Sequence, residues 1–112
     1  MEKWISQMRK GTLELCLLLL LEDEESYGYE IVRKLADQAN VDAGESTVYP
    51  ILARLKVAGY LHQRKRPSQA GPPRNYYSLA ERGRSYLSEL LVAWDELERG
   101  VNAVRAGRSA GG

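Results

Sequence analysis

The stretch GESTVYPILARLKVAGYL, residues 44–61, decides the fold. Val48, Ile51, Leu52 and Leu55 recur at i, i+3, i+4 and i+7, which places them on one buried stripe of a helix. Gly59 stands just past the stripe, where a glycine readily adopts the left-handed conformation that ends a helix. Pro50 falls in the stripe's first turn. A proline is tolerated only near a helix start, because the first N–H groups have no intrahelical partner. The spacing therefore predicts a helix capped by Ser46 or Thr47, with Pro50 at its third or fourth position. Opposite the stripe lie Ser46, Thr47, Pro50, Ala53, Arg54 and Val57. That face is slim, hydroxylated or basic, and carries no acid. A major groove about 12 Å wide admits such a helix, and a free helix N-terminus suits phosphate. The same pattern also describes an ordinary amphipathic helix with a solvated back.

Two short runs follow, YLHQRKR (60–66) and RNYYSL (74–79), rich in Tyr, Arg and Lys. The joint between them, PSQAGPP, contains three prolines and a glycine, which stop a helix or a ladder. The pattern predicts a two-stranded hairpin with a long tip, the alternative being an irregular surface loop. Arg64, Lys65 and Arg66 precede the tip and Arg74 follows it. Four cations at a hairpin root form a phosphate clamp or reach toward a minor groove. Alternatively, they are the charges by which an edge strand avoids further pairing. Strand alternation sends Tyr77 and Leu79 inward, and Tyr76 and Arg74 outward.

Toward the N-terminus, Trp4, Ile5 and Met8 form one stripe of a short first helix, punctuated by Gly11-Thr12. Thr12 is a candidate cap for a second helix, 13–22, apolar on nearly all sides. Ser26 is a candidate cap for SYGYEIVRKLADQA, with Tyr27, Ile31 and Leu35 as its stripe. Gly28 allows close approach to the backbone. At the other end, Ser78-Leu79-Ala80-Glu81 fits a capping box for a long helix over 80–105. Leu87, Leu90, Trp94, Leu97, Val101 and Val104 alternate spacings of three and four, an a/d seam. This seam and the stripe of Trp4, Ile5 and Met8 are surplus to a small winged domain. The economical reading is a homodimer in which first and last helices cross the partner; the alternative is an intrachain antiparallel hairpin. Trp94 either packs the dimer core or lines a cavity where a planar apolar molecule stacks. The predicted class is mainly α with a small β-hairpin. A winged helix-turn-helix DNA-binding domain covers 1–79, a dimerisation helix 80–105, and a flexible tail 106–112.

Composition narrows the function. The chain has 112 residues, enough for one domain, and is 44% hydrophobic with a net charge of +1. The charge is unevenly spread: residues 45–84 carry eight basic side chains against Glu45 and Glu81. A basic segment in a neutral protein still leaves an electrostatic footprint. Cys16 is the only cysteine and His62 the only histidine, so no metal site is expected. No phosphate-loop glycine pattern or paired carboxylates appear, which argues against an enzyme and against a cofactor. The longest apolar run, Leu15 to Leu21, falls far short of the roughly 20 residues of a membrane span. The expectation is a cytoplasmic protein with no membrane partner.

The order of motifs RKGTLELCLLLLL, SYGYEI, GESTVYPILARLKVAGYL and GPPRNYYSLAERGR resembles the PadR-like transcriptional regulators, in their short form with one C-terminal helix. The resemblance spans residues 9–97. It implies a winged-helix homodimer that binds operator DNA, usually a repressor released by a small molecule; the two-fold symmetry of such a dimer suits a palindromic duplex. It implies DNA contacts at Tyr29, Ser46, Thr47, Tyr49 and Arg54, and at wing residues Gly71, Pro72 and Arg74. Pro50 joins this set through the turn it shapes. Dimerisation falls on the first and last helices, and Trp94 matches a residue that stacks flat aromatic effectors in some relatives. Ala80 departs from the usual Thr, which leaves capping to Ser78. Ala53-Arg54 brings less charge than the usual Lys-Arg pair, shifting weight to Arg64–Arg66. The competing function is a protein-interaction adaptor that uses the same slim helix without reading DNA.

Overall fold

The computed structural model describes residues 1–111, with side-chain surroundings through Arg108. In chain order it comprises α1 (Glu2–Asp23), β1 (Ser26–Tyr27), α2 (Gly28–Ala39), α3 (Glu45–Val57), β2 (Leu61–Ser68), β3 (Gly71–Leu79) and α4 (Glu81–Gly111). The strands form an antiparallel sheet in the order β1-β3-β2. This is the winged helix-turn-helix arrangement, with β2 and β3 as the wing.

The core is where the apolar stripes meet. Leu13, Leu17, Leu18 and Leu21 of α1 pack with Ile31 and Leu35 of α2, and with Val48, Leu52 and Leu55 of α3. Leu61, Tyr77 and Leu79 close it from the sheet, and Leu87 closes it from α4. The inward Tyr77 and Leu79, against outward Tyr76 and Arg74, follow the expected alternation.

Several local expectations are revised. The first two predicted helices are one. Gly11 weakens a helix interior by only about 1 kcal/mol, and Arg9, Lys10, Leu13 and Glu14 around it favour a helix. The Thr12 hydroxyl donates back to the Met8 and Arg9 carbonyls at 3.0 and 3.2 Å, so Thr12 is mid-helix, not a cap. Ser26 is no cap either. It lies in β1, fully buried, paired with Tyr77, while Tyr27 occupies the cap position of α2. The wing thereby gains a third strand too short to show a period. The capping box is also absent: Ser78 pairs with His62 in the ladder, and α4 starts at Glu81. The tip is shorter than expected. The ladder runs on to Ser68 and Gly71, with a bulge between Arg66 and Ser68 that accommodates the prolines.

α3 begins earlier than its sequence suggests. Gly44 is the cap, and the Val48 N–H donates to the Gly44 carbonyl at 3.0 Å. Pro50 is therefore the sixth residue and forfeits one intrahelical bond, to the Ser46 carbonyl. Ser46 is exposed, so water can satisfy that acceptor. The end is as expected. Gly59 has φ 85°, its N–H donates to the Lys56 carbonyl, and the Tyr60 N–H donates to Leu55, both within 3.0 Å.

α4 splits into two parts. Leu87 is 1% exposed and belongs to the core of its own chain, which corrects its expected place in an intersubunit seam. Leu90 is partly buried against the same core. From Trp94 onward the seam leaves the domain, with Leu97 66% and Val104 74% exposed, so no intrachain hairpin covers it. The helix continues through 106–111, the stretch expected as a tail. Gly112 lies outside the described residues.

Candidate nucleic-acid interface

Burial sorts α3 cleanly. Val48, Leu52 and Leu55 are fully buried, while Ser46, Thr47, Pro50, Ala53, Arg54 and Val57 are all exposed. The outward face is thus free of the core for the whole helix. Tyr49 borders it, 40% exposed, with its ring lying directly on the Gly28 backbone. A Cβ at Gly28 would overlap Tyr49 Cε1 and stand 2.6 Å from its hydroxyl. The close approach anticipated at Gly28 is therefore made by Tyr49. Burial, with Glu45 nearby, raises the Tyr49 pKa and keeps its hydroxyl a donor.

A shallow recess of about 170 Å³ joins α3 to the wing, lined by Tyr27, Gly28, Tyr49, Arg74, Asn75 and Tyr77. Arg74 lies over the Tyr27 ring, 4.4 Å from its centroid. Tyr29, 51% exposed, follows in the first turn of α2. Gly71 and Pro72 are exposed at the tip, as is Lys65 beside Asn75 in the ladder.

Three of the expected DNA-contacting cations are held by acids that sequence reading did not single out. Arg54 Nη2 meets Glu14 Oε1 at 2.5 Å, and the Tyr86 hydroxyl donates to Glu14 Oε2 at 2.6 Å. Glu14 of α1 thus ties α3 to α4. Its hydrogen bond from Tyr86 is the main reason that the phenol's pKa is pushed up to about 12. Arg64 grips Glu25 with Nε and Nη2 at 2.7 and 2.9 Å, and Arg66 Nη1 reaches the same carboxylate at 2.9 Å. The Arg64 hydrogen bonds hold the Glu25 carboxyl below its usual range. Arg66 also lies over the Tyr76 ring at 4.5 Å. A signal for Glu14 existed, since it is the one charge inside an otherwise apolar run. Nothing local marked Glu25 among its acidic neighbours.

Trp94 is 38% exposed. A separate apolar trough of about 790 Å³ runs along α4 past Leu97, Gly100, Val101 and Val104, and Trp94 is not in its lining. Among the described residues no cluster of three metal-ligating side chains occurs, and no helix is long and apolar enough to cross a membrane.

The arrangement has known counterparts. The model of the transcriptional regulator PadR-like family matches residues 17–89. A PadR-like transcription factor from Bacteroides fragilis is 44% identical, with a TM-score of 0.74 over 91% of this chain and 98% of its own. A PadR family transcriptional regulator from Eggerthella lenta superposes with a TM-score of 0.84 at 31% identity, over 92% and 89% of the two chains. Bacillus subtilis PadR in complex with operator DNA matches with a TM-score of 0.66 at 26% identity, over 71% of this chain and 46% of that one. The chain belongs to the PadR-like family of transcriptional regulators.

Proposed function

We propose that this protein is a homodimeric operator-binding regulator that acts in the cytoplasm as a repressor, released by a small molecule or another signal. One observation carries the reading: the exposed, acid-free face of α3 is joined to the basic wing by the recess that holds Tyr49 and Arg74. The α3 face meets base edges through Ser46, Thr47 and Arg54, while Tyr29, Tyr49, Lys65 and Arg74 meet phosphate. Gly71 and Pro72 bring the tip close to the backbone, and Pro50 shapes the turn that enters the groove. The operator-bound relative in B. subtilis supports this reading.

The second half of the proposal is assembly. Trp4, Met8, Leu97, Val101 and Val104 are each at least 58% exposed, and Ile5 and Trp94 are 38% exposed. Large apolar side chains exposed together along α1 and along the outer part of α4 mark an interaction site. A second copy supplies the complement, α4 against α1, with Leu90 at the margin. Residues 1–79 then act as the DNA-binding unit and 80–105 as the dimerisation helix. A two-fold dimer presents two α3 helices to half-sites about 34–36 Å apart. Trp94 is the candidate contact for a planar aromatic effector at the dimer interface.

Selection of bound fragments from the source genome tests the reading. The expected outcome is a palindromic site bound on the order of 10⁻⁸ M or tighter. The adaptor alternative is separated by Arg54→Ala and Arg74→Ala. For a DNA reader both weaken duplex binding through charge, whereas for an adaptor duplex binding is weak from the outset.

A further inference from the structure

Arg64 and Arg66 stand with Lys65 and Arg74 in the basic cluster at the root of the wing. Both are occupied in the free chain. Glu25 takes two hydrogen bonds from Arg64 and one from Arg66, all between 2.7 and 2.9 Å. The Arg64 pair is the two-pronged fork by which a guanidinium also grips phosphate. The two arginines are two apart on β2 and so share one side of the strand.

Glu25 is not a loose surface acid. It immediately precedes Ser26, which is fully buried and paired with Tyr77 in the sheet. On its other side, Glu24 is tied to Lys34, which also donates to the Ser26 hydroxyl at 2.9 Å. The Glu25 side chain is only 20% exposed, against 66% and 48% for the two arginines. The backbone on either side of the acid is anchored, and the arginines are the more exposed partners.

We propose that Glu25 is a specificity-determining residue: it stands in for a DNA phosphate at the wing arginines and so suppresses binding to non-operator duplex. The physical basis is a difference between two kinds of binding. Attraction to arbitrary sequence is supplied almost wholly by cations on phosphate, whereas operator binding adds base contacts. An internal carboxylate that occupies two cations weakens the first kind proportionately more. It is a built-in competitor, and competition against the wrong target is how specificity is raised without new attractive contacts. Lys65 and Arg74, which have no carboxylate partner among the described residues, remain available for both kinds of duplex.

This inference rests on the DNA-binding reading, and the experiment keeps the two apart. Wild type, Glu25→Gln, Arg64→Ala and the double variant are titrated onto a mixed-sequence DNA duplex at low salt. Thermal unfolding of each checks that it is folded. Glu25→Gln is expected to bind several-fold tighter than wild type. Arg64→Ala is expected to lose more affinity in the Glu25→Gln background than alone, because the carboxylate no longer masks that arginine. Glu25→Ala should move affinity in the same direction as Glu25→Gln. Unchanged or weaker binding by both Glu25 variants would mean that the acid is a bystander or a positioning group, and overturns the proposal. Equal losses from Arg64→Ala in the two backgrounds would reduce the effect to general charge and also overturn it. Failure of wild type to bind duplex at any salt would instead overturn the DNA-binding reading itself.

Discussion

Tyr49 and Gly28 depend on each other. The phenol ring reaches the recess beside Arg74 only because Gly28 has no side chain in the way. Gly28→Ala should leave the core intact, since the atoms that it meets are the far end of a half-exposed ring. It should push that ring off α2, cost about 1–3 kcal/mol in stability, and weaken duplex binding out of proportion; thermal melts beside DNA titrations would separate the two effects. Tyr86 makes a second residue-scale case. Tyr86→Phe removes a hydrogen bond to an ionised carboxylate and should destabilise by about 1–2 kcal/mol, read by urea unfolding. The sign of its pH effect follows from the raised pKa. The unfolded phenol ionises near pH 10, about the ordinary value, while the folded one keeps its proton to about 12. Between those values the unfolded state binds fewer protons, so stability falls as pH rises. In Tyr86→Phe that part of the alkaline decline should be missing.

At the scale of elements, what the sequence made legible follows from periodicity. The α3 stripe, the inward and outward sides of β3, and the Gly59 stop all rest on spacing within a few residues. Ends were less legible, because a cap is decided by which backbone groups are already paired elsewhere. Ser26 and Ser78 have the right side chains for capping, yet the sheet takes both. Glu14 stands out as the one charge in an apolar run, but its partner Arg54, like the partner Arg64 of Glu25, lies about forty residues away, and nothing local names it. Gly83 is similar. It stands in the first turn of α4, where a Cβ would overlap the Tyr60 carbonyl and sit 3.2 Å from Leu79 Cδ2. That carbonyl also accepts the Ala80 N–H at 3.0 Å, and the Tyr60 ring stacks on Tyr86 at 4.3 Å. Gly83→Ala must therefore displace backbone, and should destabilise by about 1–3 kcal/mol in thermal or urea unfolding.

The whole molecule is elongated, 60 × 30 × 20 Å, because α4 runs beyond the domain it caps. A 31-residue helix spans about 46 Å, and the described side chains of its outer half, 97–108, are all exposed. Leu97→Glu or Val101→Glu should therefore leave the fold of one chain unchanged while converting a dimer to a monomer, as read by sedimentation equilibrium. The loss of dimer should in turn reduce operator affinity by orders of magnitude, since one half-site alone is held. The central claim is that α3 and the wing of two such chains read one duplex. It is tested most directly by titrating the protein onto its genome-selected duplex across a salt series, with stoichiometry measured in the same experiment. The account predicts two chains per duplex and a steep, linear fall of log affinity with log salt, about 0.9 per phosphate contacted. Weak binding that is indifferent to salt, or one chain per duplex with full affinity, would contradict it.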